Sequence, residues 1–162
     1  MARISVYIIA YNEADKIEAA LKSITWADEI VVADSFSTDG TVEIARKYTE
    51  RVLQLPFEGF GKLRNDVLDQ LEGDWIFSLD ADERCTEAAA AEIKRIIEQP
   101  DAADAYLVPR RNFFFGRWIE HSGWFPDYRQ PQLFRRGKLT YTADAVHETY
   151  VLDGTLGKTT EP

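Results

Sequence analysis

The sequence predicts an α/β fold: a mostly parallel central sheet with helices on both faces, followed by a mixed half. Three observations predict it. Four short β-branched or aromatic runs alternate with apolar stripes at helical spacing through residue 98, the pattern of βαβ units. Three of those runs stop abruptly at acidic or amide residues. Beyond Ala105 the helical stripes give way to shorter apolar runs separated by Gly, Pro and Trp. Together these describe a Rossmann-like three-layer sandwich.

Taken in order, Ile4, Val6, Ile8 and Ile9 form the first buried strand. Ile17, Ala20, Leu21 and Ile24 then recur at helical spacing, with Asn12 in the place of an N-cap. Glu29 to Ala33 is a second strand, stopping at Asp34, and Asp34 to Gly40 is polar loop. Asp39 or Thr41 caps a helix carrying Val42, Ile44 and Ala45. Arg51 to Leu55 is a third strand, Pro56 to Gly61 a turn-rich loop, and Leu63, Val67, Leu68 and Leu71 a helical stripe. Trp75 to Leu79 is a fourth strand that runs directly into Asp80-Ala81-Asp82. Thr86 to Glu98 is a helix, with Pro100 just past its end. In the second half, Tyr106 to Val108, Phe113 to Phe115, Gln132 to Phe134 and Val146 to Val151 read as short strands covering one end of the sheet.

Length fits one domain, residues 1–162, divided into halves at 1–99 and 100–162. Composition narrows the function classes. The net charge of −9 argues against nucleic-acid binding through a broad basic surface. Cys85 is the one cysteine, so an internal disulfide is impossible, which fits a reducing cytosol. It reads as a small residue at a helix start and not as a nucleophile. The apolar start, Met1 to Tyr11, alternates and ends at Asn12 and Glu13 without a cleavage site, and no run has the length of a membrane span. Membrane contact is therefore expected to be peripheral, or to lie on a part outside these residues.

The chemistry lies at the strand ends. In open α/β sheets, ligands sit at the carboxyl edge. Here that edge carries Tyr11-Asn12-Glu13, Asp34-Ser35 and Asp80-Ala81-Asp82-Glu83. Asp-x-Asp in isolation reads as a solvated turn with a capping Asp. Placed after a buried strand, Asp80 and Asp82 become ligands for a hard divalent cation, Mg2+ or Mn2+, whose shell is completed by phosphate oxygens and water. Lys62 and Arg64 stand near a glycine-flanked helix start, a natural place for phosphate. Ser35-x-Ser37-x-Asp39-Gly40 fails as a calcium loop because its twelfth position is Arg46. A Gly-x-Gly-x-x-Gly fingerprint and a Walker loop are both missing after the first strand, and Gly59-Phe-Gly61-Lys62 is too short for either.

In this order and spacing, Ile8-Ile-Ala10-Tyr11-Asn12-Glu13, Asp34-Ser-Phe-Ser-Thr-Asp-Gly-Thr41, Arg64-Asn65 and Leu79-Asp-Ala-Asp-Glu83 resemble the family 2 glycosyltransferases of the GT-A fold. Arg111 to Gly116, Gly123-Trp124, Pro131 to Arg136 and Val146-His147-Glu148 look like the bacterial branch that includes lipopolysaccharide core β-glucosyltransferases. The resemblance implies inverting transfer of one sugar from a nucleoside-diphosphate sugar, UDP-glucose first, to a saccharide or glycolipid acceptor at the cytoplasmic face of the membrane. It implies that Ala10, Tyr11, Asn12 and Glu13 line the nucleoside pocket, with Asp34 and Ser35 at the base or ribose. Lys62 and Arg64 would lie near the base or diphosphate, and Asp80, Ala81 and Asp82 at the ribose and metal. Glu148 is the first candidate for catalytic base, followed by Asp127 and Asp144, and His147 is a further candidate metal ligand.

Gln-x-x-Arg-Trp, the motif of processive relatives, is missing, and Gln132-Leu-Phe-Arg135 only partly echoes it, which favours single-sugar transfer. The resemblance also implies further residues beyond Pro162 in such enzymes, carrying acceptor or membrane contacts. Trp124, Arg129 and Arg135, among other aromatics and arginines of the second half, are expected on the acceptor side, facing sugar rings, phosphorylated sugars or anionic head groups. Two other readings stay open: the same fold acting on a polyprenyl phosphate or a protein, and a nucleotide-sugar-binding module without turnover. A nucleotidyltransferase fits less well, because its Gly-rich basic loop would stand where Tyr11-Asn12-Glu13 does.

Overall fold

The computed structural model describes residues 1–121, 125–142 and 149–162. The first half alternates as the sequence predicts: β1 (Ile4–Ala10), α1 (Ile17–Lys22), β2 (Glu29–Asp34), α2 (Thr41–Ala45), β3 (Val52–Gln54), α3 (Phe60–Leu68), β4 (Trp75–Ser78) and α4 (Glu87–Ile97). After it come β5 (Ala105–Leu107), β6 (Phe113–Phe114), β7 (Arg117–Trp118), β8 (Pro131–Arg135), β9 (Leu139–Tyr141), β10 (Tyr150–Leu152) and β11 (Leu156–Lys158).

Seven strands form one sheet in the order β11-β5-β8-β4-β1-β2-β3. β1 pairs in parallel with β2 on one side and β4 on the other, and β2 with β3. The chain therefore reverses its direction of travel across the sheet at β1 and β4. Such a switch point opens a crevice at the carboxyl ends of the two strands. Side chains alternate across a strand, and β1 shows it. Val6 and Ile8 pack with Ile17 and Leu21 of α1 and Ile93 and Ile96 of α4. Tyr7 faces the other way, with Leu63 and Val67 of α3 and Tyr141 of β9. Each buried Ile or Leu here is worth roughly 1.5–3 kcal/mol of transfer energy.

Helix starts differ from expectation at the first two helices. Asn12 does not cap α1, which begins after Lys16 without a side-chain cap. Asn12 is instead a left-handed loop residue, φ 52°. α2 begins after Gly40, and Asp39 accepts bonds from both the backbone and the hydroxyl of Thr41. α4 follows the sequence closely: Thr86 is its N-cap and accepts a bond from the Ala89 amide at 3.1 Å.

The second half also departs from expectation. It does not merely cover one end of the sheet but extends it. β8 is antiparallel to β4 and β5, and β11 then adds in parallel to β5. β8 earns an interior position through its own alternation, with Leu133 in one core cluster and Phe134 in the other. β7, β9 and β11 are not among the expected strands. The expected strand at Val146 to Val151 is seen as β10 from Tyr150, and its residues 146–148 lie outside the described residues.

Candidate active site

Of the residues singled out in the sequence, Asp80, Asp82 and Arg129 line a common cavity beyond the end of β4, while Tyr11-Asn12-Glu13 and Asp34-Ser35 stand at the ends of β1 and β2. Beneath Asp80 lies a buried polar network. Arg64 of α3 is almost fully enclosed and reaches across to both strands. Its guanidinium donates to Ser78 at 2.9 Å, to the Tyr7 hydroxyl at 3.3 Å and to Asp80 at 3.0 Å. It also lies over the Tyr141 ring, 5.5 Å from its centre. Burial works against this charge, but the Tyr7 oxygen and the Asp80 carboxylate outweigh it and hold the Arg64 pKa above the ordinary guanidinium value. Arg64 thus acts as a fixed strut under Asp80 and not as a mobile surface cation.

From the other side Glu83 ties down the same turn. It accepts the Asp80 amide at 3.0 Å and the Gln132 side-chain amide at 3.1 Å, and pairs with Arg110 at 2.8 Å. Burial, and then the Asp80 carboxylate, push the Glu83 carboxyl up against the pull of Arg110. Gln132 comes from β8 and also donates to the Ser78 carbonyl. The antiparallel strand therefore brings the second half onto the Asp80 turn. Asp80, Asp82 and Glu83 line a cavity of about 660 Å³ together with Arg84, Arg110, Arg111 and Arg129. Asp82 is exposed to it.

The residues at the ends of β1 and β2 are laced to one another. The Ser35 amide donates to the Ala10 carbonyl at 2.9 Å. The Asn12 amide donates to Ser37, and the Asn12 carboxamide oxygen accepts from Thr38. The Glu13 amide donates to Thr41, and its carboxylate pairs with Lys16 at 3.0 Å. Asp34 is wholly buried and accepts from the Ser37 amide at 2.8 Å and from Gln54 at 3.0 Å. Ser35 Oγ is buried and has no hydrogen-bond partner among the described residues. Tyr11, Phe36, Phe57 and Phe60 are exposed beyond the ends of β1, β2 and β3, where flat apolar faces are available to a planar ligand.

Other singled-out residues stand apart. Lys62 is held between Glu58, in the loop before α3, at 3.1 Å and Asp66 of α3 at 2.7 Å. Arg135 stacks over Trp75 at 4.5 Å and is in register with it, at the far end of β4 from Asp80. It does not join the cavity. Asp127 is held by Arg129 at 2.9 Å and Asn112 at 3.0 Å. Trp124, Asp144, His147 and Glu148 lie outside the described residues. Glu83, Arg110, Gln132, Tyr7 and Ser78 are the functional neighbours missing from the candidate set. Glu83 and Gln132 sit inside the quoted motifs and were legible as motif members. Tyr7 and Ser78 looked like ordinary strand residues.

A divalent cation has a suitable donor set here. Asp82 and the Asp80 oxygen not bonded to Arg64 are hard carboxylate donors. Mg2+ characteristically takes one or two carboxylates and fills its remaining positions with phosphate and water. The described residues contain no cluster of three or more His, Cys, Asp or Glu that would form an all-protein cage. A second depression of about 470 Å³ lies at the opposite edge of the sheet. There Glu29 is consumed by Arg51, Ser5 and the Glu72 amide.

A sheet that switches direction at β1 and β4, with carboxylates at that point, places the chain among the open α/β domains whose ligand crevice lies at the carboxyl ends of the strands. The particular family follows from comparison: residues 5–150 match the model for glycosyl transferase family 2, and the chain belongs to that family. It is 30% identical over 95% of its length to the lipopolysaccharide core biosynthesis glycosyltransferase LpsC of Rhizobium meliloti, and covers 59% of that protein. The chain therefore spans well under two thirds of this relative. Among solved structures, it superposes on S. aureus TarS 1-349 in complex with UDP-GlcNAc with a TM-score of 0.63 at 22% identity, covering 99% of this chain and 59% of that one. The mannosyltransferase PcManGT from Pyrobaculum calidifontis, in complex with GDP-Man and Mn2+, gives a TM-score of 0.57 at 28% identity over 68% of this chain and 36% of that one. The fold is the GT-A glycosyltransferase fold: a central, mostly parallel sheet that includes an antiparallel strand.

Proposed function

We propose that this chain carries the donor site of an inverting glycosyltransferase, which moves one sugar from a nucleoside-diphosphate sugar to a saccharide or glycolipid acceptor. The observation that carries the reading is the Asp80 turn, fixed at the switch point by Arg64 from below and Glu83 from the side. Arg64 and Glu83 restrain this turn from two sides, so its carboxylates are positioned for a cation before the donor arrives. Asp80 and Asp82 would hold Mg2+ or Mn2+. When bound, the ion supplies positive charge to the departing diphosphate. Tyr11, Asn12, Glu13 and Ser35 would meet the nucleoside beyond the ends of β1 and β2, with the wholly buried Asp34 holding the Ser37 loop in place behind them.

In the transfer, the acceptor hydroxyl oxygen bonds to the anomeric carbon as the bond from that carbon to the diphosphate oxygen breaks. The hydroxyl proton passes to a carboxylate base, and the electron pair leaves with the nucleoside diphosphate. Glu148 and Asp144 are the candidates for this base. Asp127 ranks behind them because Arg129 and Asn112 already occupy it. Arg110, Arg111 and Arg129 line the acceptor side of the cavity. The likeness to LpsC supports a lipopolysaccharide-core acceptor, and UDP-glucose is the first donor to try.

Product analysis separates this reading from its rivals. Incubation with UDP-glucose, Mn2+ and a core saccharide is expected to release a glycoside and free UDP. Pyrophosphate would point to nucleotidyl transfer, and unchanged donor to a binding module without turnover. Replacing the true base, Glu148→Gln or Asp144→Asn, should lower kcat by about 10²–10⁴-fold with little change in donor binding.

A further inference from the structure

We propose that the β6–β7 hairpin docks the protein on an anionic phospholipid surface, Phe114 and Phe115 entering the interface while Arg111 and Arg117 meet the head groups. The inference stands on the hairpin alone and not on the transferase reading, because vesicle binding and nucleotide binding can fail separately.

The hairpin is built against its own folding interest. Its strands, Phe113–Phe114 and Arg117–Trp118, are joined by the two residues Phe115 and Gly116, with φ of 48° and 75°. Two positive φ values in a two-residue hairpin loop are the mark of a type I′ turn, which favours Asn-Gly or Gly-Gly. Here the first position is phenylalanine, a bulky residue in a left-handed conformation, which is an uncommon and strained combination. Among the described residues its side chain gains little burial in return. Phe115 is 92% exposed, Phe113 66% and Phe114 62%. Phe115 packs edge-on against Phe114 at 4.5 Å, so the tip presents a joined apolar face. Clustered exposed aromatics of this kind mark an interaction surface more than a scatter of single apolar residues does.

The charge around the tip selects the partner. Arg111 and Arg117 flank the tip, while Arg110 is paired with Glu83 and Glu120 follows two residues after Trp118, in a chain whose net charge is −9. Arg111 lies over the Trp118 ring at 5.0 Å, and Arg117 is exposed on the strand opposite Phe114. An acidic body is repelled by an anionic bilayer, so a basic, aromatic projection is the part able to approach it. Aromatics at the head-group level flanked by arginines are the chemistry that holds proteins at such interfaces.

The test is co-sedimentation of the full 162-residue chain with vesicles of phosphatidylcholine alone and of phosphatidylcholine mixed with phosphatidylglycerol. The expected result is binding to the anionic vesicles, weaker on the neutral ones and weakened by salt. Phe115→Asn should cut that binding by about tenfold or more, and Arg117→Glu should weaken it further. Phe115→Asn supplies the residue this turn prefers, so its melting temperature should be no lower than the parent's, which a merely structural phenylalanine would not allow. Equal sedimentation with and without anionic vesicles would overturn the proposal. So would binding that survives Phe115→Asn, or a dimer that this substitution dissolves, since the aromatic face would then cover a second copy.

Discussion

Arg64 spends its donors on two strands and the turn after β4, and that makes it costly to replace. Removing it would take from Ser78 and the near oxygen of Asp80 their guanidinium partner and leave the Tyr7 hydroxyl with Tyr141 alone. Arg64→Met is expected to lower unfolding free energy by about 2–3 kcal/mol, a figure discounted because Asp80 is partly in solvent. Urea unfolding would measure it. Arg64→Lys should rescue little of the loss, since one ammonium cannot reach the same spread of acceptors. Cys85 offers a second test. Burial pushes its thiol up to about 11. At pH 8 its thiolate fraction is then about two orders of magnitude below that of a free cysteine, and alkylation by iodoacetamide should slow by at least that factor. A thiol raised in the folded state stabilises the fold fully below its unfolded value, about 8.5. That contribution is lost as pH rises toward about 11.

Between elements, the tightest junction is the start of α3 against the end of β9. A Cβ on Gly61 would lie 1.9 Å from the Thr142 carbonyl oxygen. One turn further on, the Asn65 side chain bonds both the carbonyl and the amide of Tyr141. Gly61→Ala should therefore cost about 1–3 kcal/mol through overpacking, where most surface helix positions would gain from alanine. Thermal unfolding reads the difference. This junction matters for the site because Tyr141 also roofs Arg64.

The sequence revealed these elements unevenly, for physical reasons. α4 was legible because Thr86 caps it and Ile93, Ile96 and Ile97 repeat at helical spacing. β11 was not, because Leu156-Gly157-Lys158 has no alternation to read; Gly157 is required by the Tyr106 ring, which a Cβ would meet at 2.6 Å. Nor does composition encode that β8 runs antiparallel, which is what delivers Gln132 to Glu83. Glu92 is a further surprise. It reads as a helix-surface acid, yet it is buried and accepts the Thr160 and Glu161 amides and the Thr160 hydroxyl, pinning the end of the chain to α4.

Across the whole molecule, the carboxyl edge of one sheet carries the carboxylate pair, the laced loops after β1 and β2 and the arginines brought in by the second half. The acids of that edge were legible because they interrupt buried strands. The roles of Arg64 as strut and Glu83 as brace were not, because Tyr7 and Ser78 are indistinguishable from neighbouring strand residues, and Glu83 reveals its role only when Gln132 and Arg110 are seen beside it. Among the described residues no helix is long and apolar enough to cross a membrane. The most direct measurement is calorimetric titration of UDP, GDP and ADP into the folded chain, with Mn2+ or with EDTA, beside Asp82→Asn. Asp82 is exposed, so the variant should fold as the parent does. The account predicts that one of these nucleotides binds with Mn2+, and that EDTA and Asp82→Asn each weaken it by about tenfold or more, equivalent to about 1.4 kcal/mol. Binding of equal strength under all three conditions, or none by the folded parent chain, would contradict a metal-assisted nucleotide site at Asp80 and Asp82.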